Sequence, residues 1–499
     1  MQKKYVIGVD GGTESLRTGV FDLSGNPLAF ASVTYPTNFP VPGWAEQDPD
    51  DWWNALGRSV RQAVIDAKVS KQEILGLCLD TTCCSVVVLD GAGNPLRPAL
   101  IWMDMRSAPQ TEQVLATGDL ALKVNSNGGG PVSAEWMIPK SLWIHQNEPE
   151  IFQNAETICE FQDYLNLHLT GKRVASINNV SVRWHYGPGW DGWASRMVEI
   201  LGMPELLKKW PDTVLRLGEE IGGLTSNASL HLDLPEGLPV LQGGADAFIG
   251  MIGLGVVDPG SLAFITGSSH LHLGLSQKAL NGQGIWGTYA NAVIPGLHVL
   301  EGGQTSTGSV VSWLRRTLGN PSYEELNQEA AQLEPGSEGV IMQEHFQGNR
   351  TPHTDPLSRG VISGLTLKHG RGHLFRATLE GIAFGTELIL ETMRNNGFEA
   401  ETVVLAGGAT RSNLWLQIHA DVSNLPLTLT KVPDAPALGS AILAAVGSGA
   451  FSDIGSAARK MVQVDRVIEP NPESHGIYQP FYQSYREHYL AMKKIRNKL

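Results

Sequence analysis

A chain of 499 residues is longer than one hydrophobic core organises, so two or more domains are expected. Apolar residues make up 42% and charged residues 17%, the balance of a soluble globular protein, while a net charge of −13 disfavours nucleic acid or an anionic membrane as partner. The four cysteines, Cys78, Cys83, Cys84 and Cys159, lack metal-type CxxC spacing and read as reduced buried thiols. The first apolar run begins within four residues of the N-terminus and no run has spanning length, so a cytoplasmic protein without leader or membrane span is expected.

The run Val6 to Asp22 is apolar, enters a turn at Gly11-Gly12-Thr13, and leaves apolar again. It predicts a β-hairpin with Asp10 at the end of its first strand. Two readings are open: an ordinary glycine-rich turn, or a loop that grips the phosphates of MgATP. In the second, backbone N–H groups and the Thr13 hydroxyl face the phosphates, and Asp10 is an oxygen ligand suited to Mg²⁺. A third strand runs to Thr34. Asp50 or Asp51 then caps a helix carrying Trp53, Leu56, Val60 and Val64 at helical spacing.

Ile74 to Leu79 reads as a strand ending in Asp80-Thr81-Thr82, and Val86 to Leu89 as another. Trp102, Asp104 and Arg106 alternate just past a strand end. They form either a strand-end aromatic with a local salt bridge, or a stacking face, acceptor and donor fork for a polyhydroxylated ligand. The stretch from Leu115 to Leu234 is mostly helical and loop-rich. Leu238 to Leu241 then runs into Gly243-Gly244-Ala245-Asp246, opening a helix through Ile252, and a domain boundary falls near Gly253 to Gly260.

Ser261 to Leu275 repeats the opening pattern: strand, hydroxyl-rich turn at Gly267-Ser268-Ser269, strand. Such duplication predicts two related halves facing a cleft. Glu301 to Gly308 precedes a helix bearing Val310, Val311 and Leu314, and Gly372 to Asn396 is a long helix stopped by Gly397. Val403 to Ala406 enters Gly407-Gly408-Ala409, with Ser412 placed to cap a helix through His419. A strand, glycines and a helix N-terminus make a site able to receive a nucleotide. Pro436 to Ala441 starts an Ala-rich helix whose small residues suit close packing or close approach of a ligand.

In this order and spacing the segments resemble the FGGY family of carbohydrate kinases across essentially the whole chain. Asp10-Gly11-Gly12-Thr13 is similar to the family's first phosphate motif, Gly267-Ser268-Ser269 to its second, and Leu405 to Ala409 to its adenosine motif. The resemblance implies an α/β fold of two ribonuclease H-like, actin/hexokinase-type ATPase domains around a central cleft. Residues 1–255 would bind the sugar and carry the first phosphate motif; residues 256–499 would bind nucleotide. Asp246 is the implied catalytic base and, with Asp10, a metal ligand. Asp80, Thr82, Trp102, Asp104 and Arg106 are implied sugar contacts. Gly11, Gly12, Thr13, Arg17, Gly267, Ser268, Gln304, Gly407, Gly408, Ala409 and Asn413 are implied ATP contacts.

ATP and Mg²⁺ are therefore expected, with a small sugar as the other partner; a homodimer is compatible with this reading. The Asp80-Thr81-Thr82-Cys83-Cys84 strand end lacks the Arg-Glu pair of glycerol kinases and the Gln-Met-His run of xylulose kinases. It is more similar to the Asp-x-Thr of ribulokinase-like members, which implies ribulose as acceptor. Xylulose, erythritol, ribitol or glycerol, and an actin-like ATPase without a sugar, are the alternatives. No GxGxxG follows a strand in dinucleotide context, and Gly171-Lys172-Arg173 does not supply a P-loop.

Overall fold

The computed structural model describes residues 4–498. Two mixed sheets dominate it. The first contains β1 (Tyr5–Gly11), β2 (Ser15–Asp22), β3 (Pro27–Thr34), β4 (Ile74–Thr81), β5 (Glu220–Gly223) and β6 (Pro239–Leu241), in the order β5-β6-β4-β1-β2-β3. The second contains β7 (Ser261–Thr266), β8 (His270–Ser276), β9 (Trp286–Ala290), β10 (His298–Gln304), β11 (Thr402–Gly407), β12 (Leu427–Thr430) and β13 (Val464–Ile468), ordered β9-β10-β8-β7-β11-β12-β13.

The duplication expected from the two hairpins is present in the topology. In the first sheet β1 pairs antiparallel with β2 and parallel with β4, and β2 pairs antiparallel with β3. In the second, β7 pairs antiparallel with β8 and parallel with β11, and β8 pairs antiparallel with β10. Each hairpin thus turns at the same edge of its sheet as the end of its parallel neighbour, which brings both glycine turns to one cleft.

Six helices position the site: α1 (Pro49–Ala67), α2 (Asp246–Gly253), α3 (Gly308–Thr317), α4 (Arg371–Asn395), α5 (Asn413–Ser423) and α6 (Ala435–Gly447). Two details of α1 depart from the expectation. Its cap is Asp48, whose side chain accepts from the Asp50 N–H, because Pro49 takes the first helical position. Its buried tryptophan is Trp52, stacked on Phe161 at 3.8 Å, while Trp53 lies at the rim. The predicted cap of α5 holds, with the Ser412 hydroxyl accepting from the Trp415 N–H.

The Ala-rich α6 is built for close packing. A Cβ on Gly8 of β1 would lie 1.9 Å from the Ala437 carbonyl oxygen, one on Gly253 1.9 Å from that of Ala435, and one on Gly439 2.1 Å from that of Ile249. Helices α2 and α6 therefore cross in backbone contact, and a shared apolar core runs through them from Val6 and Leu241 to Ala263 and Leu273. The four cysteines are free; Cys83 and Cys84 lie just beyond β4 rather than in it. Among the described residues no helix is long and apolar enough to cross a membrane.

Candidate active site

Two cavities meet at the turn between β7 and β8. One, about 260 Å³, is walled by Gly267, Gly308, Val311, Tyr323, Asn327, Phe375, Leu379, Gly408, Ala409, Arg411, Ser412 and Trp415. The other, about 290 Å³, includes Thr13, Thr82, Cys83, Cys84, Trp102, Arg183, Asp246, Ser269, Glu301 and Arg350 in its wall. Gly267 belongs to the first and Ser269 to the second, so the turn they share, with the exposed Ser268 at its centre, contributes a wall to both. The N-terminus of α3 abuts this turn: the N–H groups of Thr307 and Ser309 donate to the Ser268 carbonyl at 3.0 and 3.2 Å, and that of Gly308 to the Gly267 carbonyl.

The first cavity is lined by the aromatic rings of Tyr323, Phe375 and Trp415 and by the backbone of Gly267, Gly308 and Gly408. Gly407 has φ +98°, and a Cβ there would strike the Thr266 carbonyl at 1.9 Å, so the turn requires glycine. Gly408 differs: a Cβ there meets no atom within 4 Å, leaving only the cavity in front of it.

Asp246 opens α2 and is half-buried at the second cavity, with its Oδ1 accepting from the Ala247 N–H at 2.6 Å. Burial raises its carboxyl to about 6, against that one opposing hydrogen bond. Across from it, the Trp102 indole donates to the Thr13 hydroxyl at 2.9 Å. Thr82 is in the same wall.

Behind the cavity floor lies an acidic group. Asp10 on β1 is in register with Asp80 on β4, and Asp434 caps α6 while pairing with Arg17. Burial, then the like charges of Asp434 and Asp246, push Asp10 up to about 8. Asp80 is raised well above its ordinary value by burial and by Asp10. A set of carboxylates that oppose each other's ionisation is completed by a divalent cation, and hard oxygen donors suit Mg²⁺, so Asp10 and Asp246 fit the expected ion.

Five of the expected contacts are corrected by this geometry. Asp80 is fully buried under the floor, accepting from the Ser440 hydroxyl at 2.6 Å, and belongs with Asp10 rather than in the acceptor cavity. Asp104 and Arg106 do not face a ligand. They form a closed ion pair, 2.8 Å at its shortest, with Arg106 also reaching Glu46 and lying 3.7 Å over the Trp44 ring. Their alternation projected them inward against a neighbouring loop; only Trp102 reaches the cavity. Gln304 spends its amide on the Glu344 carboxylate, the Ile382 carbonyl and the Thr386 hydroxyl, inside the second half. Asn413 is exposed and accepts from Arg466, whereas its neighbours Arg411 and Ser412 line the first cavity.

The sequence reading also passed over a charged wall. Buried Glu301 of β10 accepts from Arg183 at 3.1 Å and from Arg350, and Tyr289 donates to it at 3.1 Å. Burial alone opposes its ionisation, yet the two guanidinium groups hold its carboxyl below the usual range. Arg183 comes from the first half of the chain, Glu301 and Arg350 from the second, and no spacing in the sequence joins them.

Two cavities on either side of a glycine- and hydroxyl-bearing turn, with a carboxylate in the wall of one, are an arrangement that suits phosphoryl transfer. The FGGY N-terminal domain matches residues 5–253 and the FGGY C-terminal domain residues 262–448, and the chain belongs to the FGGY family of carbohydrate kinases. It is accordingly an ATP-dependent sugar kinase. A xylulose kinase of Staphylococcus epidermidis is 29% identical, covering 99% of this chain and 98% of that protein. A ribulokinase of Geobacillus thermodenitrificans is 31% identical over 97% of this chain and 94% of its own length. Among solved structures, the xylulose kinase of Rhodospirillum rubrum aligns with TM-score 0.88 and 28% identity, covering 99% of both chains.

Proposed function

We propose that the chain transfers the γ-phosphoryl group of ATP to the terminal hydroxyl of a ketopentose, ribulose before xylulose, with Asp246 as general base. The observation that carries this reading is the position of Asp246 in the polar cavity, across the Gly267–Ser269 turn from the nucleotide-side cavity. A sugar hydroxyl is a poor nucleophile, and a carboxylate held near neutrality accepts its proton as the phosphoryl group arrives. Gly267 and Ser268 orient the phosphates, with Gly11, Gly12 and Thr13 opposite. The base moiety lies against Gly408, Ala409 and Trp415. Asp10 and Asp246 would hold Mg²⁺, which supplies neutralisation of phosphate charge. Residues 1–255 carry the acceptor site and residues 256–499 the nucleotide site.

The choice of acceptor rests on the wall chemistry. Thr82, Trp102, Arg183, Glu301 and Arg350 offer more polar partners than glycerol can satisfy, and buried groups left unpaired are costly. The Asp-x-Thr strand end favours ribulose; the relatives include proteins named ribulokinase at 29% and 31% identity and one named xylulose kinase at 29%. A panel of D- and L-ribulose, D- and L-xylulose, erythritol, ribitol and glycerol under one ADP-release assay tests the reading. Ribulose should exceed glycerol by well over about tenfold in kcat/KM. A best rate with xylulose would replace the proposed acceptor, and no stimulation by any polyol would remove the sugar site itself.

A further inference from the structure

Cys83 and Cys84 follow β4 directly and both line the acceptor cavity. Their Sγ atoms are 3.7 Å apart, with the Cys84 thiol donating to Cys83. The backbone under them is fixed. The Cys84 N–H donates to buried Glu160 at 3.1 Å, and the Cys84 carbonyl accepts from the buried Lys140 ammonium at 2.7 Å. Lys140 also holds the Leu100 and Ile101 carbonyls, which ties this turn to the loop bearing Trp102.

Two fates are open to adjacent thiols, and the distances separate them. A disulfide needs sulfurs about 2.0 Å apart and Cα atoms at least about 4.4 Å apart, whereas sequence neighbours hold theirs at about 3.8 Å. A thiophilic centre bonded to two sulfurs at about 2.3 Å keeps them about 3.3 Å apart at a pyramidal angle of about 90° and about 3.8 Å apart at a tetrahedral one. The observed 3.7 Å lies within this range, so the second needs the sulfurs to close by only a few tenths of an ångström, whereas a disulfide needs them to close by well over about 1 Å.

We infer that Cys83 and Cys84 form a chelating site for trivalent arsenic, taking a monosubstituted arsenical R–As=O, and that its occupancy closes the acceptor cavity. Two As–S bonds replace the arsenic–oxygen double bond, and both thiol protons leave with the oxygen as water. Arsenic stays trivalent and no electrons are exchanged. Burial pushes the Cys84 thiol well above its ordinary range, so Cys83, the more accessible of the two, makes the first bond. The blocking of phosphoryl transfer, unlike the chelation, rests on the cavity being the sugar site.

The test uses phenylarsine oxide on the full-length protein. Titration of thiols in denaturant should fall from four to two, and mass spectrometry should place one adduct on the peptide holding Cys83 and Cys84. Ribulose-dependent ADP formation should fall at least about tenfold at full occupancy, since misplacing a reactant by about 1 Å costs on the order of a hundredfold. Excess 2,3-dimercaptopropanol should restore it, and a monothiol should not. C83A and C84A should each lose the bridged adduct, and C159A should keep it. A count that stays at four, an adduct mapped to Cys78 or Cys159, or full occupancy with an unchanged rate would overturn the inference. An untreated protein that no sugar stimulates would remove the acceptor reading, with the thiol count still deciding the chelating site.

Discussion

At Asp246 the same environment that makes a base available also sets the pH at which it fails. Burial raises its carboxyl to about 6, so the deprotonated form that accepts a proton is lost as pH falls through that value. The rate should therefore decline on the acid side below about 6. Asp246→Asn should lower kcat by about a hundred- to ten-thousand-fold while calorimetry shows sugar and ATP still bound. Near-normal turnover would take the base away from this residue. Asp104 behaves differently. Its partners are Arg106 and the Ala45 N–H, all buried, so Asp104→Ala removes one of the two carboxylates paired with Arg106 and leaves only Glu46. Breaking such a pair costs about 3–5 kcal/mol. A denaturant midpoint well below the parent, with KM for the acceptor little changed in the folded fraction, is the expected signature.

At the scale of an element, the β11–α5 turn separates two glycines that look alike in the sequence. A side chain at Gly407 collides with the Thr266 carbonyl; one at Gly408 meets only the cavity in front of it. Gly408→Val should thus fold normally and raise KM for ATP far more than KM for the sugar. Gly407→Val should lower the melting temperature instead, and equal effects of Gly408→Val on both substrates would mean a packing defect. The α2–α6 crossing obeys the same steric logic, since Gly253 and Gly439 each face a carbonyl of the other helix. Asp246 begins one of these helices and Asp434 caps the other, so their backbone contact fixes the spacing of two carboxylates.

For the whole molecule, the acidic floor couples stability to pH and to cations. Asp10 is raised above its unfolded value, so its contribution to stability is full below about 4 and is lost as pH rises through about 8. The protein without added cation should melt progressively lower between these limits, and Mg²⁺ should raise the melting temperature more at pH 8 than at pH 5. Asp10→Asn should remove most of that Mg²⁺ effect, stabilise the cation-free protein and abolish turnover. Scanning fluorimetry with and without MgCl₂ is the measurement; an Mg²⁺ effect equal at both pH values and unchanged in Asp10→Asn would separate the cluster from any cation.

Local patterns were enough for the hairpins, the glycine turns and the Ser412 cap, because strand alternation, glycine conformation and hydroxyl capping are decided within a few residues, while the α1 cap fell on Asp48 because Pro49 takes the first helical position. The repeated hairpin made the two-halved architecture legible; Thr13 and Asp246 line one cavity, Gly267 and Gly408 the other, and Asp10 lies behind the floor in register with Asp80. What alternation could not decide was the direction of a polar side chain off a regular strand. Trp102 reached the cavity and Asp104 with Arg106 turned to Glu46 and Trp44, residues that only the folded loop brings near. Gln304, Asn413 and Asp80 were likewise claimed by partners at least 40 positions away, and the Arg183–Glu301 contact spans 118. A motif specifies the backbone it needs; which cavity its side chains face depends on long-range packing, and that is a property of the tertiary structure alone.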